Sequence, residues 1–389
     1  MRKAAANLGR RPPEESSGSG YRARESMRVI VASAQFPPTR SGYSRVAGNL
    51  AEQFRRDGHT VIPLTEPVAC SRYGRVPVLN SKGIRLLREG ADIVQVIGPS
   101  PPFSEQVVWE AHRQKIPVVY ALAAFAGLAT FYSGPIPAAV DTLYQRTVYR
   151  VALRMVDAAV FHTRDFAESF GLSAIPWTVI PLGASDPCAT TPYTVRSFGG
   201  PDDGPLRVLF TGQLRRAKGV TNLIRSVAEL HDGGKPVRLT IVGDGPQRPR
   251  LERLVDQLGL RPLTTFRGWV EDGELHQEYL SNDVLVLPSL LGESFGIVLV
   301  EARLHGLQVI ASDLPGVREL VHEFNGQVVP PGNVPALAQA LRGIERPKPE
   351  ARQFNTRLAA RFSWSETARQ FLAVYRDVLN TGTKRPQSA

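Results

Sequence analysis

Two glutamates, Glu293 and Glu301, lie eight residues apart in PSLLGESFGIVLVEA (288–302). A carboxylate accepts two charge-assisted hydrogen bonds and can clamp a pair of neighbouring hydroxyls. If residues 294–301 are helical, the two carboxylates stand about 12 Å apart along the helix axis. The ribose diol and the sugar hydroxyls of a nucleotide diphosphate sugar span a comparable distance. Ser294, Phe295 and Gly296 would then open the helix, and their free amides, with the helix dipole, would form an anion site for the diphosphate. Gly296 permits close backbone approach. Spacing alone also admits a plainer reading, with Glu293 a helix N-terminal acid and Glu301 on a solvated face.

Further candidates precede the pair. In FTGQLRRAKGVTNLIRSVAEL (210–230) a strand, a glycine turn, basic residues and a helix follow one another. Lys218 stands at the helix start, where it reaches a phosphate as a point charge. In LTIVGDGPQRPRLERL (239–254), Gly243 and Gly245 are a weak signal that a simple turn also explains. The backbone around Gly268, in Arg267–Val270, is placed to pair with a base, with Trp269 as its cover. His162 follows a strand and is either an acceptor-binding residue or a structural one. His59 reads as a satisfied turn residue, Asp165 as a helix-start acid and Asp283 as a residue that orients backbone. Cys70 and Cys188 give neither a disulfide framework nor a metal spacing.

The elements that must hold these residues alternate. Short apolar runs at 29–32, 93–97, 118–122 and 158–161 read as buried strands, and 44–56, 103–113 and 138–155 as helices. Residues 184–205 have no period and are rich in Pro, Gly, Thr and Asp. The alternation restarts with strands at 207–211, 238–242, 284–287 and 309–311. Helices are expected at 220–231, 248–258, 297–305 and 334–344, then a last amphipathic helix at 364–379. This predicts an α/β chain of two doubly wound, Rossmann-like domains facing a cleft, with function in the loops that follow strands. The expected boundaries are a disordered extension at 1–26, a first domain at 27–190, a linker at 191–205, a second domain at 206–362, a crossover helix at 363–382 and a tail at 383–389. Met27 is a candidate true start.

Charge narrows little. The 389 residues carry a formal net charge of +11 from 47 basic and 36 acidic side chains. Hydrophobic residues at 42% allow a sizeable core and exclude a mostly disordered chain. The arginine bias fits codon usage, a phosphate-bearing ligand or weak attraction to an anionic surface. No nucleic-acid-binding module is recognisable, and no partner of that class is expected. A dehydrogenase is excluded by the lack of G-x-G-x-x-G after the first strand. The first 26 residues hold no secretory signal, and the cysteine usage fits the cytoplasm.

Taken together, E-S-F-G-I-V-L-V-E within P-S…E-A, the K-G after the second domain's first strand, and V-G-D-G-P resemble the retaining GT-B glycosyltransferases of family 4. The resemblance covers nearly all of 27–380 and is strongest over 207–333. It implies a nucleotide-sugar donor, UDP-sugar foremost, with no other cofactor and no metal. It implies sugar contact for Glu293, ribose contact for Glu301, and diphosphate contact for Lys218 and the Gly296–Ile297 backbone. PPTRSGYSRVAGNLAEQFRRDGHTV (37–61) resembles the family's first loop and helix, and Gly42 would face the donor phosphates across the cleft. RFSW (361–364) and its helix resemble the segment that crosses back to the first domain.

Three positions depart from the family pattern. Gln213 stands where an arginine is usual, with Arg215 or Arg216 as substitutes. No histidine occurs in VVYALAAFAG (118–127). The paired glycines of the first loop are Ser41-Gly42. Acceptor contacts are expected from Tyr43, Phe125, Phe131, Tyr132 and His162. An aminocyclitol-type metabolite and a cell-envelope lipid or polysaccharide are both open as acceptors. A catalytically silent nucleotide-sugar-binding homologue is a further alternative, and weak peripheral membrane contact is compatible with the charge.

Overall fold

The computed structural model describes residues 26–39, 41–65, 68–71, 74–122, 138–173, 175–184, 204–344 and 356–382. Two six-stranded, all-parallel sheets organise it. In the first, the spatial order is Thr60–Leu64, Arg28–Ala32, Ile93–Gly98, Val118–Leu122, Ala158–Phe161 and Trp177–Val179. In the second it is Thr264–Gly268, Val237–Val242, Leu206–Thr211, Val284–Leu287, Gln308–Ser312 and Gln327–Val329. Helices cover both faces, which is why the central strands read as unbroken apolar runs: every residue of Ile93–Gly98 and Val284–Leu287 is buried.

Strand order fixes where ligands can sit. In the second sheet the order reverses between Leu206–Thr211 and Val284–Leu287, and in the first between Arg28–Ala32 and Ile93–Gly98. The loops leaving such a pair of strands diverge to opposite faces and open a crevice at their carboxyl ends. Those loops carry Lys218 and Glu293 in the second domain, and Gly42 and the start of the Phe103–Arg113 helix in the first.

The last helix, Trp364–Gly382, returns to the first domain as expected. Tyr375 donates to Gln95 Oε1 at 2.9 Å and stacks obliquely on Phe54, with ring centroids 5.6 Å apart. Thr367 donates to the Pro181 carbonyl at 2.9 Å. Gly183 lies so close to Trp364 that a Cβ would come within 2.6 Å of its ring and backbone.

Several elements differ from the expectation. The helix after Glu293 starts at Ile297, as its expected span 297–305 has it, but residues 294–296 are not part of it, so the condition of a helical 294–301 is not met. Gly296 is its N-cap, with φ +74°, a left-handed conformation that ends any helical run through it. The 138–155 helix is interrupted by a π-helical segment at Gln145–Tyr149. An antiparallel hairpin, Val68–Ser71 with Gly74–Pro77, adds strands too short and polar to show a period. Residues 1–25, 185–203 and 383–389, which hold most of the expected extension, the linker and the tail, lie outside the described residues, as do Phe125, Phe131 and Tyr132. Asp283 orients backbone as expected: fully buried, it accepts from Arg207 N at 2.9 Å and from the Arg207 guanidinium at 2.8 and 3.1 Å.

Candidate active site

Two loops of the second domain meet at the switch point. The first runs from Thr211 through the 3-10 turn Arg216–Lys218 to Gly219, which starts the Val220–Asp232 helix. The second runs from Leu287 to Ile297. Leu290 N donates to Ala217 O at 2.7 Å, pinning one to the other. Gly219 has φ +66°, and a Cβ there would lie 1.9 Å from Pro288 O. Only glycine allows this approach, and it brings Lys218 over Glu293.

Lys218 Nζ donates to Glu293 Oε1 at 2.5 Å, and Ser289 Oγ donates to the same oxygen at 2.5 Å. Glu293 is buried, whereas the Lys218 side chain is 29% exposed. The carboxylate is therefore held on one oxygen while its cation keeps a face towards the cleft. Behind it, Gly316 packs against the chain so closely that a Cβ would sit 1.9 Å from Glu293 O and 2.6 Å from Ser294 Cα. Gly296 is boxed by Val317, Leu299 and Leu287 side chains at 2.9–3.2 Å from a notional Cβ.

Glu301 lies one element further in, on the Ile297–Leu304 helix, and is 3% exposed. Tyr279 donates to its Oε2 at 2.8 Å, and Arg45 Nη1 of the first domain donates to Oε1 at 2.7 Å. Arg45 also reaches Asp272 Oδ1 at 3.2 Å. The Glu301 charge raises the Arg45 pKa, and burial, reinforced by Glu301, raises that of Tyr279. Each carboxylate oxygen keeps a second acceptor direction. Beneath, His305 Nδ1 bonds the Glu301 carbonyl at 2.6 Å, and His276 Nδ1 meets His305 Nε2 at 2.6 Å.

The remaining expected residues fall as follows. Gly42 is the first residue of the Gly42–Arg56 helix, capped by Ser41, and nothing lies within 4 Å of a notional Cβ there. Tyr43 is half-buried, and burial, then the Glu293 charge, raises its hydroxyl pKa, so the two domains face each other across this gap. Gln213 is half-buried, and Arg215 and Arg216 are exposed at the cleft-side turn. Gly268 has φ +69° and its carbonyl accepts from Gly243 N at 2.7 Å. Ser294 lies in the loop before Gly296, and the Phe295 side chain is core, only 2% exposed. His162 is 1% exposed and packs edge-on to Phe295, ring centroids 6.3 Å apart, rather than facing open space. Its Nδ1 bonds Ile180 O at 2.9 Å.

His162 and His305 make the fold acid-sensitive. Burial lowers both to a pKa of about 4. The unfolded chain binds these protons near pH 6.5, so stability is full above that pH and falls as pH drops towards 4. The expected loss at pH 5 is on the order of 2 kcal/mol per histidine. Urea midpoints at pH 7.5 and pH 5 measure it; equal midpoints would contradict the burial argument.

Arg45, Asp272, Tyr279, Ser289 and Gly316 were not marked by the sequence reading. Only Arg45 had a usable signal, as the cation one helical turn after Gly42. Among the described residues no group of three or more His, Cys, Asp or Glu is placed to hold a metal, and no helix is long and apolar enough to cross a membrane.

Two facing Rossmann-like domains with a crossing C-terminal helix define the GT-B fold. Solved structures agree. Sucrose-phosphate synthase from Thermosynechococcus elongatus superposes with a TM-score of 0.68 at 21% identity, covering 92% of this chain and 100% of that one. Anabaena HepE in complex with UDP-glucose gives 0.66 at 19% identity, covering 90% and 100%. The family model for glycosyl transferases group 1 matches residues 194–360. The D-inositol 3-phosphate glycosyltransferase of Xylanimonas cellulosilytica is 31% identical over 70% of this chain and 69% of its own length. The chain belongs to the glycosyl transferases group 1 family. Alpha-D-kanosaminyltransferase of Streptomyces kanamyceticus is 34% identical over 47% of this chain, and the match spans about half (48%) of that relative. The 2-deoxystreptamine glucosyltransferase of the same organism is 33% identical over 62% of this chain and 61% of that one.

Proposed function

We propose that the protein is a retaining, metal-independent glycosyltransferase that moves a sugar from a nucleotide diphosphate donor, UDP-sugar foremost, to an acceptor hydroxyl. The observation that carries this reading is the Lys218–Glu293 pair beside the Ile297 helix start, at the second domain's switch point. The diphosphate would take Lys218 and the amides at Gly296 and Ile297, with Arg215 or Arg216 as further cations. Glu293, released from Lys218, would orient the sugar and support positive charge at the anomeric carbon. Glu301 would hold the ribose. The bond from the anomeric carbon to the phosphate oxygen breaks, the acceptor oxygen bonds on the same face, and its proton passes to the departing phosphate oxygen. Stabilising that departing charge is the chief demand, an electrostatic contribution of several kcal/mol in such sites.

A release assay with UDP-, GDP- and ADP-sugars, repeated with candidate acceptors, tests the proposal. Transfer, or slow donor hydrolysis, from one of them is expected. Donor binding without either would favour the silent homologue. The same acceptor panel separates an aminocyclitol from an envelope lipid or polysaccharide.

Gly42→Ala isolates the donor phosphates. The added methyl meets nothing in the fold, and alanine at a helix start leaves stability within about 1 kcal/mol. If the diphosphate lies against Gly42, the donor KM rises about tenfold with kcat little changed, equivalent to about 1.4 kcal/mol of binding. An unchanged KM would remove Gly42 from the donor site.

A further inference from the structure

The carboxylate that would hold the ribose is already in use. Both oxygens of Glu301 are bonded, Oε2 to the Tyr279 hydroxyl at 2.8 Å and Oε1 to Arg45 Nη1 at 2.7 Å. The two partners differ in kind. Tyr279 belongs to the second domain and is core, 2% exposed. Arg45 comes across the cleft from the Gly42–Arg56 helix of the first domain, and its side chain is 28% exposed. With Arg45 in place, the Glu301 side chain is only 4% exposed. A ribose diol must touch the carboxylate to bond it, and the approach from the cleft leads through the guanidinium.

An exposed ion pair would yield easily and mean little. This acid is buried, and a buried carboxylate stripped of its counter-charge is costly. The guanidinium also has a second hold. Arg45 Nη2 donates to Asp272 Oδ1 at 3.2 Å, in the first turn of the Asp272–Ser281 helix that carries Tyr279. One first-domain cation thus spans two second-domain acids. The domains are joined elsewhere as well, by Arg164 N and Asp165 N donating to Glu319 Oε2 at 2.8 and 3.4 Å and by the crossing helix. Arg45 is therefore not needed simply to keep the domains together.

We propose that Arg45 gates the ribose end of the donor site: it occupies Glu301 in the free protein and must leave that carboxylate before a ribose diol can bind there. This rests on the reading of Glu301 as the ribose carboxylate, and it makes a residue of the opposite domain a determinant of donor affinity. The cost of breaking the pair falls only on ligands whose diol bonds Glu301. A pair formed about nine-tenths of the time lowers their apparent affinity about tenfold. Arg45 lies about one helical turn after Gly42, so its release couples the ribose end of the site to the helix start that would face the donor phosphates.

Calorimetric titration of wild type, Arg45→Ala and Asp272→Asn with UDP, GDP and ADP, each beside its 2′-deoxy counterpart, tests it. The deoxy nucleotide lacks one hydroxyl of the diol and gains little from an open Glu301. The ratio of the two affinities therefore separates the gate from the general effect of removing a cation near a diphosphate. The preference for the ribonucleotide is expected to rise about tenfold in Arg45→Ala. It should rise less in Asp272→Asn, which leaves Arg45 and Glu301 in place and loosens the guanidinium's second hold. A preference unchanged or reduced in Arg45→Ala, with nucleotide still bound, would overturn the gate and make Arg45 a support of the site. Circular dichroism checks the fold; should Arg45→Ala fail to fold, an unchanged preference in Asp272→Asn overturns the gate by itself. No binding of any nucleoside diphosphate by wild type or variant would instead sink the donor reading, and the gate with it.

Discussion

Glu293→Gln is expected to lower kcat by about 10² to 10³, the effect of removing one well-placed electrostatic group from a transition state. Glutamine keeps the volume and can still accept from Ser289 and Lys218, which hold the native carboxylate at 2.5 Å each. Lys218 is partly exposed and can be hydrated once its partner is neutral. The fold should therefore survive, with a stability change of no more than about 2 kcal/mol. The variant loses the negative charge that would face the anomeric carbon, so the loss should fall on kcat and leave the donor KM within a few fold. Turnover by nucleotide release, with circular dichroism and a urea curve as controls, makes the measurement. Near-normal turnover in a folded variant would remove Glu293 from the chemistry.

Gly316→Ala is expected to be nearly as damaging for a different reason. Its methyl would sit 1.9 Å from Glu293 O, where ordinary contact needs more than 3 Å, and the obstruction is backbone that no rotamer change relieves. The loop ahead of the Ile297 helix must move by an ångström or more, carrying Glu293 and the Gly296 amide with it. Displacements of that size cost about a hundredfold in activity where positioning carries the rate. Overpacking should cost about 1–3 kcal/mol in stability as well. Gly273→Ala serves as the control, since open space surrounds it and it has no part in the donor site. If Gly316→Ala retains both activity and stability, the close contact between these loops is not what positions Glu293.

Much of this site was legible in the sequence. Lys218 and Glu293 follow strands whose apolar runs are unmistakable, and such loops must converge at a switch point. The helix start at 297 was legible, but not the reason for it: Gly296 read only as a point of close backbone approach, whereas its positive φ makes it the boundary. Arg45 was missed because its partner Glu301 lies 256 residues away in the other domain, a distance over which no local pattern speaks. Gly316 follows the same logic, since its need for a missing side chain comes from Glu293 and not from its own turn.

The central claim is that one donor site, built on Lys218, Glu293 and Glu301, transfers sugar with retention. Proton NMR of the first sugar product formed from an α-linked nucleotide sugar, by transfer or by hydrolysis, tests it most directly. The account predicts the α anomer as the initial product, lost in Glu293→Gln. A β product, or release that Glu293→Gln leaves unchanged, would contradict it.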